Sequence, residues 1–147
     1  MSKGIIEEII ATLQRGVIRT LDGIAKFWET CTTEWRTAVE EYGGWGKLLR
    51  DAWNIENKVV DLLTFKEVVA WLKGHLPKDI RCRACMTVLD KELVASEEEA
   101  LPLHYYVCFL DGKGEILFDR PQIFFHCKAI DAQLKENFGG NDMIVFS

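Results

Sequence analysis

A chain of 147 residues with 48% apolar and 28% charged content is globular in composition, and at this length roughly 68–70% of the unfolded surface can be buried without a metal or disulfide staple. The formal charge of −5 divides into −1 for residues 1–77 (10 basic against 11 acidic) and −4 for 78–147 (8 against 12). Neither half offers the basic surface that drives polynucleotide affinity, so nucleic acid is not expected as a main partner.

Ile5, Ile6, Glu7, Glu8, Ile9 and Ile10 at the N-terminus make a stretch too short and too charged for a secretory signal, and no apolar run reaches the 18 residues of a membrane span. The five cysteines are odd in number and irregularly spaced. Free thiols in a reducing compartment follow, and the expected location is the cytoplasm with no membrane partner.

Residues 6–42 carry an apolar seam: Ile6, Ile10, Leu13, Val17, Leu21, Ile24, Trp28, Cys31, Trp35, Ala38 and Tyr42. The spacing alternates between four and three with one four-residue stutter near Val17, which predicts one long amphipathic helix. Gly16 and Gly23 fall inside the pattern, so a break near 20–23 would give a helical hairpin instead. Gly43-Gly44 is the expected stop.

A second helix is expected over 45–53 on the spacing of Trp45, Leu49 and Trp53, with a continuation through Ile55, Val59, Leu62 and Leu63. Thr64 and Glu67 form a capping box, and Leu63 with Val68 a hydrophobic staple. A helix therefore starts at 65 and ends at Gly74, with Pro77 barring extension.

Beyond Pro77 the period becomes two, and Ile80, Cys82, Ala84, Met86 and Val88 predict a half-buried strand. Residues 90–102 read as an exposed connection, with Ser96 and Glu99 placed to cap a single turn. A strand over 103–110 runs into Asp111-Gly112-Lys113-Gly114, a hairpin signal, and 115–119 is expected to return antiparallel. Arg120-Pro121 breaks that ladder, leaving 122–127 as an edge strand. Cys127, Ile130, Leu134 and Phe138 predict a last helix stopped by Gly139-Gly140, and 143–146 a closing strand.

The fold class is accordingly α+β: a helical subdomain over 1–77 packed with a small, mainly antiparallel sheet and one helix over 78–147, together one cooperative unit.

Cys82 and Cys85 have the spacing of half a zinc site, and His104, Cys108, His126 and Cys127 could complete one. Residues i and i+3 of a strand face opposite ways, so convergence on one ion is not expected, and no metal or cofactor is assigned. His104, Cys108 and His126 could form a Cys/His nucleophile pair if the strand over 103–110 and the segment over 122–127 are neighbours, although His104 and Cys108 otherwise only share one face of one strand. Lys73, His75, Lys78, Arg81 and Arg83 form the one concentrated basic stretch, of which Arg81 and Arg83 share a face and could hold an anion.

Trp28 and Trp35 share a helix face, and Trp45 and Trp53 form a second aromatic pair; they are either core or partner-binding anchors. The P-loop, dinucleotide, HExxH, GxSxG and EF-hand patterns do not occur. The sequence thus points to a non-enzymatic protein–protein interaction module, an adaptor, inhibitor or chaperone-like protein. It would act through its N-terminal helix on another protein or a second copy of itself, and no catalytic residue is assigned. The competing reading is a small-ligand, anion-binding or thiol-dependent enzyme domain with its site on the C-terminal sheet.

Overall fold

A computed structural model describes residues 2–16, 21–76, 81–89 and 100–146. The N-terminal seam is neither one helix nor a hairpin. It forms α1 (Ser2–Gln14), α2 (Leu21–Thr30) and α3 (Thr33–Tyr42). The first interruption follows α1, where Gly16 adopts φ +84°. The second is at Thr32, whose extended backbone and hydroxyl, accepting from Trp35 N–H at 3.2 Å, start α3 afresh. A three-four spacing is blind to such a restart, because the cap leaves the apolar phase intact.

Gly43 ends α3 at φ +126°, a conformation that disfavours any side chain. The helix α4 (Trp45–Trp53) follows, closed by Asn54 in the left-handed region with its N–H bonded to Arg50 O. The expected continuation of that helix is instead strand β1 (Glu56–Leu63). Its apolar residues fit either period, and the β-branched Val59 and Val60 suit a pleated chain. Pairing with a distant strand settles the choice.

The Thr64 cap forms as expected: its hydroxyl accepts from Glu67 N–H at 3.1 Å and opens α5 (Phe65–His75) between the buried Leu63 and Val68. The Glu67 carboxylate turns to Lys58 at 2.8 Å. Strand β2 (Arg83–Val88) and strand β3 (Leu103–Leu110) are antiparallel. Ile80, Lys78, Ser96 and Glu99, with the readings placed on them, lie outside the described residues.

Residues 115–119 make no strand; Leu110 and Ile116 form a single bridge. The Asp111 carboxylate accepts from the N–H groups of Glu115 and Lys113 and coils the turn on itself, which holds that carboxyl below its ordinary range. The return strand is β4 (Ile123–Ile130). It lies between β1 and β3, so the stretch read as an edge is central. It also absorbs Cys127 and Ile130, which the sequence pattern had placed on the last helix.

The last helix, α6 (Ala132–Phe138), begins only after Asp131, and β5 (Met143–Phe146) closes the chain. The five-stranded sheet runs β1-β4-β3-β2-β5, parallel between β1 and β4 and antiparallel elsewhere. The molecule is α+β, and its sheet draws β1 from the N-terminal side of the expected boundary at 77.

Alternation sorts the sheet residues into two cores. Cys85, Tyr106, Cys108, Leu110 and Phe124 meet Ile6, Ile9 and Leu13 of α1, Ala38 and Val39 of α3, and Trp45, Leu48 and Leu49 of α4. The opposite face carries Met86, Tyr105, Val107, Phe109, Ile123 and Phe125 against Val68 and Leu72 of α5 and Leu134 and Phe138 of α6. Of the seam's described residues, Ile6, Leu13 and Ala38 are buried in the first core and Ile10, Trp35 and Tyr42 pack against it.

Asp131 ties the second layer together. Its two carboxylate oxygens accept from Phe65 N–H of α5 at 3.1 Å and Leu134 N–H of α6 at 2.9 Å. Asp131→Ala frees two helix-end donors at once, and at about 1 kcal/mol for each cap the variant should lose about 2 kcal/mol. Urea unfolding measures it; a loss under about 0.5 kcal/mol would show that water replaces both bonds.

Candidate functional site

Parallel pairing of β1 with β4 and antiparallel pairing of β4 with β3 bring three polar side chains into a line. His104 on β3 and His126 on β4 are directly opposite, with Nδ1 to Nδ1 at 2.7 Å. His126 Nε2 reaches Asn57 Oδ1 of β1 at 2.6 Å. With that carbonyl oxygen as acceptor, His126 carries its proton on Nε2 and accepts on Nδ1, so His104 donates from Nδ1. One proton bridges the two rings, and a second would break the contact.

Both rings are buried, at 8% and 1% exposure, whereas Asn57 is exposed. Asn57 also borders a shallow hollow of about 460 Å³ formed by Arg50, Asp51, Asn54, Ile55 and Glu56 at the α4–β1 junction. The chain of bonds therefore runs from the sheet interior to an open polar surface. At the same junction, Glu56 N–H donates to Gln122 O at 2.9 Å, and the buried Gln122 side chain accepts from the Tyr106 hydroxyl through Oε1. Asp51 accepts from the Tyr42 hydroxyl, which pushes the phenol up to about 12.

Glu56 points to the other side of β1, where its carboxylate accepts from Trp71 Nε1 and meets His75 Nε2, each at 3.4 Å. Trp71 and His75 stack at 4.4 Å. Asp61 pairs with Lys128 at 3.6 Å. The ionic groups along β1, namely Glu56, Lys58 and Asp61, thus all have partners within the chain. On the same strand Val59 and Leu62 stand 55% and 50% exposed.

The tryptophans divide by environment. Trp45 is 1% exposed and stacks on Phe27 at 5.6 Å. Trp35 is half-buried, 6.2 Å from the same ring, and Trp53 is half-buried and stacked on Phe118 at 3.8 Å. Trp28 belongs to α2, but its side chain lies outside the described residues. Arg81 and Arg83 are both exposed at the start of β2, remote in register from the histidine pair.

Cys85 belongs to the first core and Cys82 packs against the second, so this spacing does not converge. His104 is bonded to His126, while Cys108 stands opposite Cys85 in the β2–β3 ladder. No group of three or more His, Cys, Asp or Glu suited to a metal occurs among the described residues, and no described helix is long and apolar enough to cross a membrane. Asn57, Glu56 and Gln122 escaped the sequence reading, since each acquires its role only from the β1–β4 pairing.

Burial pushes the Cys127 thiol up to about 11. An unfolded thiol ionises near pH 8.5, so between about pH 9 and 11 the unfolded chain releases a proton that the folded chain keeps. Stability should fall as pH rises through that window, and Cys127→Ala should flatten part of the fall in urea titrations at pH 8, 9.5 and 11. A profile flat in both proteins contradicts this.

No family model matches the chain, and neither the curated proteins nor the solved structures include one similar to it.

Proposed function

We propose that the chain is a non-enzymatic protein-binding module, of adaptor, inhibitor or chaperone-like kind, that accepts an extended segment of a partner polypeptide along the outer edge of β1. The observation that carries this is an eight-residue strand ending the sheet, with Val59 and Leu62 exposed on its two faces. Among the described residues no strand lies beyond it. Such an edge presents a row of main-chain donors and acceptors that only water or another strand can satisfy. At about 3.3 Å per residue β1 offers roughly 26 Å of ladder; the opposite edge, β5, has four residues.

The chemistry of the occupant follows from the rim. Because Glu56, Lys58 and Asp61 are answered within the chain, the edge favours a segment with apolar residues toward Val59 and Leu62 and few charges. Helices α1 and α3 fit this role less well, with Ile6, Ile9, Leu13, Ala38 and Val39 committed to the core.

Selection from a displayed library of random linear peptides tests the proposal. Enriched peptides should carry apolar residues on both strand faces, matching the three-residue spacing of Val59 and Leu62, and lose tenfold or more in affinity to the Val59→Arg, Leu62→Arg double variant. Both positions are exposed, so the variant should fold. Absence of enrichment, or binding indifferent to the variant, overturns the reading. A native mass spectrum showing a dimer that the variant dissolves would instead make a second copy the occupant.

A further inference from the structure

Cys85 and Cys108 stand directly opposite in the β2–β3 ladder, both 0% exposed under the first helical layer. Leu89 N–H donates to His104 O in the same ladder. Counting back by twos puts the cysteines at a hydrogen-bonded position, where Cα atoms lie about 5.5 Å apart. Disulfides are commonest at about 5.5–6 Å. Interaction with Cys108 lowers the Cys85 thiol's pKa, while interaction with Cys85, together with burial, raises that of Cys108.

Position supplies the access. Val145, opposite Cys85 on the four-residue edge strand β5, is 44% exposed, so Cys85 lies one strand in from the sheet's rim. A small oxidant needs only a local opening of that edge; a protein oxidant needs far more. The other cysteines lack this arrangement. Cys82 and Cys127 pack with the opposite core, and Cys31 lies in the connection between α2 and α3.

We propose that Cys85 and Cys108 are a site of reversible oxidation, a dithiol closed to a disulfide by hydrogen peroxide or a small organic hydroperoxide. The Cys85 thiolate attacks a peroxide oxygen, so that an S–O bond forms, the O–O bond breaks and the leaving oxygen departs as water or alcohol after taking a proton. The Cys108 sulfur then attacks the Cys85 sulfenic sulfur. An S–S bond forms, the S–O bond breaks, and the hydroxyl leaves as water with the Cys108 proton. Two thiols lose two electrons, which reduce the peroxide, and a thiol reductant reverses the change by exchange. The result staples β2 to β3.

The test treats the folded full chain with hydrogen peroxide, quenches with catalase, then unfolds and alkylates without reductant. Mass spectrometry should show three of the five cysteines alkylated, a Cys85–Cys108 linked peptide, and five alkylated after dithiothreitol. In Cys108→Ala, dimedone should trap Cys85 as a sulfenic acid adduct. Five alkylated cysteines after peroxide, or a linkage through Cys31 or Cys82, overturns the proposal. Mapping of the unsubstituted chain decides the matter even where the variant fails to fold.

Discussion

Trp45→Ala should remove about 3–5 kcal/mol of stability, the cost of deleting a large aromatic from a close-packed core. Trp45 is 1% exposed, opens α4, stacks on Phe27 and belongs to the cluster that α1, α3 and α4 form over the sheet. The urea midpoint should drop with little change in slope. Trp53→Ala, at a half-buried ring stacked on Phe118, should cost less. If Trp45→Ala leaves the midpoint within about 0.5 kcal/mol of the parent, the ring is not a core element and the helical layer is misassigned.

His126→Ala should be the second large loss, at about 2–4 kcal/mol, because one deletion takes both hydrogen bonds of a buried ring and leaves partner atoms behind. His104 Nδ1 and Asn57 Oδ1 both lose their His126 partner. A double-mutant cycle with His104→Ala should return a coupling of about 0.5–3 kcal/mol, whereas Asp131→Ala, in a separate network, should add to His126→Ala. Additivity between the two histidines would dissolve the proposed line of bonds.

Local chemistry was the readable part of the fold. The Thr64 cap, the glycine stops at Gly43 and Gly139, the strand over 103–110 and the closing strand all depend on residues within a few positions of one another, and each is where the sequence placed it. Misreadings arose where two local descriptions were equally good and a remote partner chose. Residues 55–63 fit a helix as well as a strand until β4 aligned with them in parallel. Residues 115–119 had the composition of a return strand, but Asp111 captured their first amide. Cys127 and Ile130 fell at helical spacing from Leu134, yet Asp131 sets the helix start behind them.

The candidate site shows the same limit more sharply. His104 and His126 could be singled out as residues of interest, but their adjacency depended on strand order, which spacing does not encode. Asn57 carried no signal, because its segment was read as helix. The apolar seam gave the right amphipathicity without a destination: its described residues Ile6, Ile10, Leu13, Trp35, Ala38 and Tyr42 pack within this chain's first core, whereas Val59 and Leu62 on β1, read as helix, stand exposed.

Amide hydrogen exchange on the full chain, alone and saturated with a library-selected peptide, shows whether β1 is the binding edge. Exchange should slow within residues 56–63 and stay unchanged across α1, α2 and α3. Protection confined to residues 21–42, with β1 unaffected, would contradict it and return the binding surface to the N-terminal helices.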